Sequence, residues 1–237
     1  MQLFATANQV CEITFTSSAR YDDPYNEIEM EGVFHHPDGR TFKIPAFWRG
    51  GGRWAIRFSP PDVGEYTFET KCSRAADRGL HGVSGKLAVG AYTGENPLYR
   101  HGRLRVAADK RHFEHADGTP FFWMGDTWWM GLSQRLDWPN GFQMLAADRV
   151  AKGFNVVQII AGPYPDMDAW DARGRNEAGF PFAADFARVN PAYFDMADLK
   201  IAHLADTGLM PCIVGMWGYY MPRIGEERIK RYWRYLV

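Results

Sequence analysis

The sequence predicts a chain in two parts. Residues 1–92 read as an all-β sandwich of the immunoglobulin-like type, and residues 104–237 as the first three β/α units of an incomplete α/β, TIM-type barrel, with 93–103 as linker. Three observations carry this. Short alternating runs parted by turn-forming clusters fill the first part. Beyond about residue 104 the period changes, and apolar runs of strand length alternate with helical patterns. Between the parts, Gly94, Pro97 and Gly102 interrupt any regular pattern.

In the first part, Cys11–Thr16, Glu27–Phe34, Trp54–Phe58 and Tyr66–Cys72 alternate apolar and polar residues. The turns are Pro37-Asp38-Gly39, Gly50-Gly51-Gly52 and Pro60-Pro61-Asp62-Val63-Gly64. About seven strands at this spacing are what an immunoglobulin-like sandwich needs. No helical pattern follows the glycine triplet, so it reads as a hairpin turn and not a phosphate loop. Cys11 and Cys72 share the inward phase of their strands. A bridge between them and two buried free thiols both fit, while three cysteines are too few for a disulfide framework.

In the second part, Leu104–Ala107 and His112–His115 flank the polar turn Asp109-Lys110-Arg111, and Asp117-Gly118 makes the next turn. The run Phe121-Phe122-Trp123-Met124 reads as the first buried parallel strand, ending at Gly125-Asp126-Thr127-Trp128-Trp129. A helix from about 140 to 152 carries Phe142, Leu145, Ala146 and Val150 on one face, with Gly153 as its stop. Phe154–Ala161 is the second strand, interrupted only by Gln158. A loop of about 28 residues follows, a length that is often functional. Asn190 and Pro191 open the next helix, which runs to about Thr207, buries Ala197, Ile201, Leu204 and Ala205, and stops at Gly208. Leu209–Trp217 is the third strand. Ile229, Trp233 and Leu236 share a face of the last helix, and Cys212 falls among core residues. This order predicts parallel strands joined by right-handed crossovers.

Composition narrows the function. Hydrophobic residues make up 46% and charged residues 23%, as in ordinary globular domains, but the aromatic share of 15%, with nine tryptophans, is high, which suits large cores and carbohydrate clefts alike. A net charge of −1 offers no electrostatic case for nucleic acid or an anionic membrane surface. No apolar run reaches the ~18–20 residues that span a bilayer. No signal peptide is visible, so the sequence as written reads as cytoplasmic, and as periplasmic or secreted if a leader was removed. The seven histidines show no metal spacing, and no phosphate loop or nucleophile elbow is present, so neither metal nor other cofactor is expected.

Candidate site residues follow from the expectation that barrel chemistry sits at the carboxyl ends of the strands. Asp126, at the end of the first strand, is the catalytic candidate by position; hydrogen bonding to sugar hydroxyls, or capping of the following helix, are its alternative readings. Trp128 and Trp129 offer flat apolar faces, although adjacent residues rarely face the same way, so at least one belongs to the core. Gln158 either binds substrate or satisfies a neighbouring strand. Trp217, Tyr219 and Tyr220 form an aromatic wall, or simply pack. Tyr164 and Trp170 sit in the long loop, where they could serve as a lid.

Several stretches together resemble the apiosidase-like glycoside hydrolases and the immunoglobulin-like domain that precedes their catalytic domain. They are Phe34-His35-His36-Pro37-Asp38-Gly39, the segment from Phe47 to Phe58, and Pro61-Asp62-Val63-Gly64-Glu65-Tyr66. Further on come Gly125-Asp126-Thr127-Trp128-Trp129, Gly153-Phe154-Asn155-Val156-Val157-Gln158, Asn190-Pro191-Ala192-Tyr193-Phe194-Asp195 and Trp217-Gly218. The resemblance implies a bacterial (β/α)₈ glycosidase acting on plant or microbial polysaccharide, apiose- or other pentose-linked. Such hydrolysis needs two carboxyl groups, ~5–5.5 Å apart for retention or ~6.5–9.5 Å for inversion. In related barrels the acid/base ends the fourth strand. On that reading the catalytic residues are expected beyond Val237, the chain is an N-terminal fragment, and alone it is inactive. A non-catalytic carbohydrate-binding module, or a degenerate remnant, is the alternative.

Overall fold

The computed structural model describes all residues from Met1 to Val237. The chain divides into two compact units, Met1–Glu95 with Arg234–Val237, and Asn96–Trp233. In the first unit the strands are β1 (Gln2–Thr6), β2 (Cys11–Thr16), β3 (Met30–His35), β4 (Thr41–Trp48), β5 (Arg53–Phe58), β6 (Gly64–Cys72) and β7 (Ser84–Gly90), and a single helical turn, α1 (Pro24–Glu27), precedes β3.

The expected immunoglobulin-like pair of sheets does not form. All seven strands hydrogen-bond into one mixed sheet in the order β1-β7-β6-β3-β4-β5-β2 that curls almost into a barrel. The reason lies in β4. Its first half, Thr41–Pro45, pairs with β3, and its second half, Ala46–Trp48, pairs with β5. One eight-residue strand thus passes its pairing from neighbour to neighbour, and no gap separates two sheets. At one edge β1 runs parallel to β7.

Inside the curl, Phe34 of β3 and Phe58 of β5 come to 4.4 Å between ring centroids, although β4 lies between their strands. Gly32 permits this fold-over, because a Cβ there would stand 2.8 Å from Ile56 Cδ1. On β6, Tyr66, Phe68, Thr70 and Cys72 are buried in strict alternation, as the period of two requires. Each large apolar side chain so buried contributes roughly 1.5–3 kcal/mol. Cys11 and Cys72 are both free thiols, and burial raises the pKa of each.

One buried carboxylate ties the loops of this unit together. Asp77 accepts from Ser17 Oγ at 2.6 Å, from Ser18 N and Oγ at 2.9 Å each, from Gly79 N at 3.1 Å and from Tyr21 Oη at 3.2 Å. Burial alone would raise its pKa, but the hydrogen bonds from Ser17, Ser18 and Tyr21 prevail and hold it at about 2. A carboxyl depressed in the folded state contributes stability above its unfolded pKa of ~3.9, and loses it as pH falls through the folded value. Asp77→Asn should therefore remove about 2 kcal/mol at neutral pH and flatten the decline between about pH 4 and pH 2. Denaturant titrations across that range would read it; an acid limb identical in the variant would refute the assignment.

The second unit holds α2 (Pro97–His101), β8 (Leu104–Val106), β9 (Phe113–His115), β10 (Pro120–Phe121), β11 (Gly125–Trp128), α3 (Asn140–Ala151), β12 (Val156–Ile160), α4 (Pro191–Asp206), β13 (Met210–Val214), α5 (Met221–Ile224) and α6, which runs Glu226–Leu236. Here too the fold class is corrected. No TIM-type barrel, even a partial one, organises this unit. It contains two small three-stranded sheets, antiparallel β10-β9-β8 and parallel β11-β12-β13. The parallel strands have only four or five residues each, and nothing pairs with the outer edge of β11 or β13. The first parallel strand also starts later than the apolar run predicts: β10 stops at Phe121, and Phe122, Trp123 and Met124 are exposed.

The helices lie near where their punctuation places them. Gly153 (φ +79°) follows α3 and Gly208 (φ +85°) follows α4, both in the left-handed conformation that glycine tolerates. The buried faces differ in part. On α3 only Phe142 and Ala146 are buried, while Val150 is exposed. On α4 the buried set is Tyr193, Phe194, Ala197, Lys200 and Leu204. Asn190 makes no side-chain cap. Its Nδ2 donates to the Ala178 and Phe180 carbonyls, each at 2.9 Å, and so ties the long loop to the start of α4. No helix is long and apolar enough to cross a membrane.

Candidate functional site

The parallel sheet sets the geometry, because residues in register point to the same face. One row is Asp126, Val157 and Pro211; the next is Thr127, Gln158 and Cys212. Asp126 belongs to the face that α3 covers, where Val157 is fully buried. Thr127 and Gln158 are exposed on the opposite face, and Cys212 is half-buried beside them. Gln158 is thus not a buried amide in search of partners, but a polar group on an open sheet surface.

Asp126 sits inside β11 rather than at its end, and both of its carboxylate oxygens accept hydrogen bonds. Oδ2 pairs with the Arg149 guanidinium of α3 and accepts from Trp128 Nε1 at 3.0 Å; Oδ1 accepts from the Thr127 amide at 2.8 Å. Partial burial would raise its pKa, but Arg149, Trp128 and the Thr127 amide outweigh that and leave it below the ordinary carboxylate range. Arg149 also pairs with Asp148, which in turn pairs with Lys152 at 2.8 Å. A general acid needs a raised pKa. Asp126 has the opposite.

The adjacent tryptophans separate. Trp128 is buried, its ring edge-on to Phe142 at 5.3 Å. Trp129 is 42% exposed and meets Trp217, itself 37% exposed, with centroids 4.9 Å apart and planes at 42°. The two indoles follow the carboxyl ends of β11 and β13, the outer strands of the sheet. Their meeting is the clearest constellation of the predicted residues. Trp233 of α6 packs against Gly215 so closely that a Cβ there would stand 2.5 Å from its ring, which fixes the backbone between β13 and Trp217. Beyond Trp217, Tyr219 is 54% exposed, and Arg223 lies over its ring at 4.7 Å while donating to its hydroxyl at 2.7 Å.

Tyr164 is not a lid residue. Its ring is buried and its hydroxyl lies near those of Tyr193 and Ser133 without a well-formed hydrogen bond. Burial pushes its pKa up to about 12, and that of Tyr193 up as well. Thus Trp129, Trp217 and Tyr219 present polarised or apolar faces to solvent, Gln158 and Thr127 line the open sheet face, and Asp126, Trp128 and Tyr164 build the support beneath. No group of three or more His, Cys, Asp or Glu side chains is arranged to hold a metal ion.

Three contributors escape a reading of the sequence alone: Arg149, Arg223 and above all Lys200. Lys200 is 1% exposed, and its ammonium donates to the carbonyls of Gly131 and Ser133 at 2.9 Å and of Leu136 at 2.6 Å. Burial pulls its pKa down, countered by the charges of Glu177 and Asp137. The signal is present in the sequence, since a lysine occupies the apolar stripe of Ala197 and Leu204, but a lysine there ordinarily snorkels outward. Two outcomes follow. Lys200→Met, which keeps the stem and deletes the donor, should cost about 3–5 kcal/mol by leaving three carbonyls dry; a thermal melt unchanged from wild type would exclude that role. Arg149→Leu should raise the Asp126 pKa, because burial then acts with fewer opposing bonds, and carboxyl chemical shifts against pH would show no movement if the pairing were unimportant.

Comparison with known proteins places this geometry. The family model for the apiosidase-like catalytic domain matches residues 107–237, and that for a domain of unknown function, DUF5060, matches residues 6–73. A crystal structure from Bacteroides vulgatus ATCC 8482, provisionally described as a glycoside hydrolase, is similar over 99% of this chain and 46% of its own, with TM-score 0.78 and 22% identity. A glycoside hydrolase family 5 structure from the same organism matches 60% of this chain and 30% of its own, with TM-score 0.49 and 23% identity. A structure titled glycoside hydrolase matches 61% and 32%, with TM-score 0.48 and 25% identity. The chain therefore spans less than half the length of the structure that it matches from end to end. No curated protein matches it. Since the catalytic-domain model covers more than half of its residues, the chain belongs to the apiosidase-like family of glycoside hydrolases.

Proposed function

We propose that residues 104–237 form the sugar-recognition surface of a glycoside hydrolase that acts on plant or microbial polysaccharide, with apiose- or other pentose-linked chains as the substrate class. The observation that carries this reading is the pair of exposed indoles, Trp129 and Trp217, 4.9 Å apart beside the open face that bears Thr127 and Gln158. Flat rings meet the C–H face of a sugar while side-chain amides and hydroxyls take its hydroxyl hydrogen bonds. A sugar of this kind is neutral, which suits a chain with net charge −1 and an aromatic rather than cationic surface.

Hydrolysis is a separate matter. It takes one carboxyl kept protonated and a second kept ionised on either side of the scissile bond. Asp126 can supply neither the raised pKa nor a free oxygen, since Arg149, Trp128 and Thr127 occupy it. We therefore assign recognition to residues 104–237, and the acid/base pair to none of the predicted site residues. The same observation favours, for this chain by itself, glycan binding without cleavage.

The test uses the 237-residue chain with aryl pentosides for turnover, and with pectic polysaccharide and xylan in affinity electrophoresis for binding. No turnover is expected, and Trp129→Ala should weaken retention by about tenfold. Turnover that disappears in Asp126→Asn would overturn the assignment. Retention equal in wild type and Trp129→Ala would overturn the recognition surface.

A further inference from the structure

The long loop between β12 and α4 carries a second aromatic surface. Trp170 is 37% exposed, and it lies over Phe186 at 5.3 Å between centroids with the planes at 33°, while Phe180 meets it edge-on at 5.6 Å. We infer that Trp170, backed by Phe186, is a distal stacking subsite, so that the ligand is a chain of several sugar units and not a single terminal sugar. This rests on the recognition surface proposed above and names its substrate more narrowly.

The backbone beneath Trp170 is held against its preference. Asp185 and Phe186 both have φ of +56°, a conformation that residues with a side chain disfavour and that persists only where the surroundings impose it. Arg228 Nη1 donates to the Asp185 carbonyl at 3.0 Å, and the Phe186 ring is wedged by Phe182 at 5.6 Å and Tyr220 at 6.1 Å. The strain therefore serves to bring one phenyl ring under one indole that remains wet. A loop that needed only to bury its aromatic groups would have buried Trp170.

The two aromatic surfaces are tied to each other. Tyr220 donates to the Met167 carbonyl at 2.6 Å, which ties the segment ahead of Trp170 to the segment that bears Trp217 and Tyr219. Rings continue from one to the other: Trp170 to Phe186, Phe186 to Tyr220, and Tyr220 to Tyr219 at 5.3 Å and 88°. Near Trp170 in the chain stand polar groups suited to sugar hydroxyls. Asp168 accepts from the Trp170 amide at 3.0 Å, and Asp171 pairs with Arg173 at 2.6 Å. An exposed indole with such hydrogen-bonding groups close to it in the chain matches a carbohydrate better than it matches an apolar protein surface.

Titration of the full 237-residue chain by tryptophan fluorescence, with graded pectic and xylan oligosaccharides from monosaccharide to octasaccharide, tests this. Wild-type affinity should rise with length and then level off. Trp170→Leu, which keeps the contact with Phe180 and Phe186, should lose about fivefold to tenfold on the longer ligands and nothing on the shortest. Trp170→Tyr should restore the gain. If Trp170→Leu keeps the full length dependence while Trp129→Ala loses all lengths, the distal subsite is refuted and the recognition surface stands. If wild type binds none of the ladder, or Trp129→Ala binds like wild type, both are refuted.

Discussion

The aromatic surface of the second unit depends on one buried ammonium group. Lys200 projects from α4 to the turn that follows β11 and satisfies three carbonyls there, with the Phe142 ring 5.4 Å from its nitrogen. A charge in an apolar setting is tolerated only when its donors are filled. All three donors of Lys200 are filled by backbone, so the turn and the helix constrain each other. The turn that contains Trp129 is thus held by a residue some seventy positions later. Hydrogen bonds to a charged group are worth more than neutral ones, and the low local dielectric strengthens them further.

Asp126 shows the complementary use of charge. An acid next to two tryptophans invites a catalytic reading, yet strand alternation decides against it. Asp126 and Trp128 share the face that packs on α3, and Arg149 of that helix meets the carboxylate there. The pair is partly exposed, so its Coulombic contribution is modest. Its consequence is positional: it fixes the indole of Trp128 and leaves Trp129, one residue on, pointing the other way. Acid, base and buried indole pack together on one face of the sheet, and the exposed indole of Trp129 lies beyond them.

Much of this was legible in the sequence because it depends on local rules. Helix stops at Gly153 and Gly208, the alternation of Tyr66, Phe68 and Cys72, and the parallel order of three strands all follow from periods and punctuation. What escaped depends on registration over distance. Whether β4 ends one sheet or continues it is decided by its length relative to β3 and β5, and composition carries no trace of that. The apolar run at 121–124 looked like a strand, but the ladder begins at Gly125, where the backbone of Val156 is in register. Trp129 and Trp217 were each visible as candidates; their approach to 4.9 Å was not, since it requires strands of nearly equal length on either side of β12. Lys200 was hidden by the general habit of lysines to reach for water.

The curled sheet and the aromatic surface answer the same problem by opposite means. In the first unit the large rings are turned inward, and Gly32 gives up its side chain so that Phe34 and Ile56 can close the interior. In the second unit the chain spends left-handed backbone at Asp185 and Phe186, and three carbonyls around Lys200, to keep indoles outward. Exposed tryptophan is a solvation cost that a core would avoid, and here it is held in place by groups that are themselves expensive to bury. Such an arrangement is what the proposed recognition of a polyhydroxylated chain would require of this face.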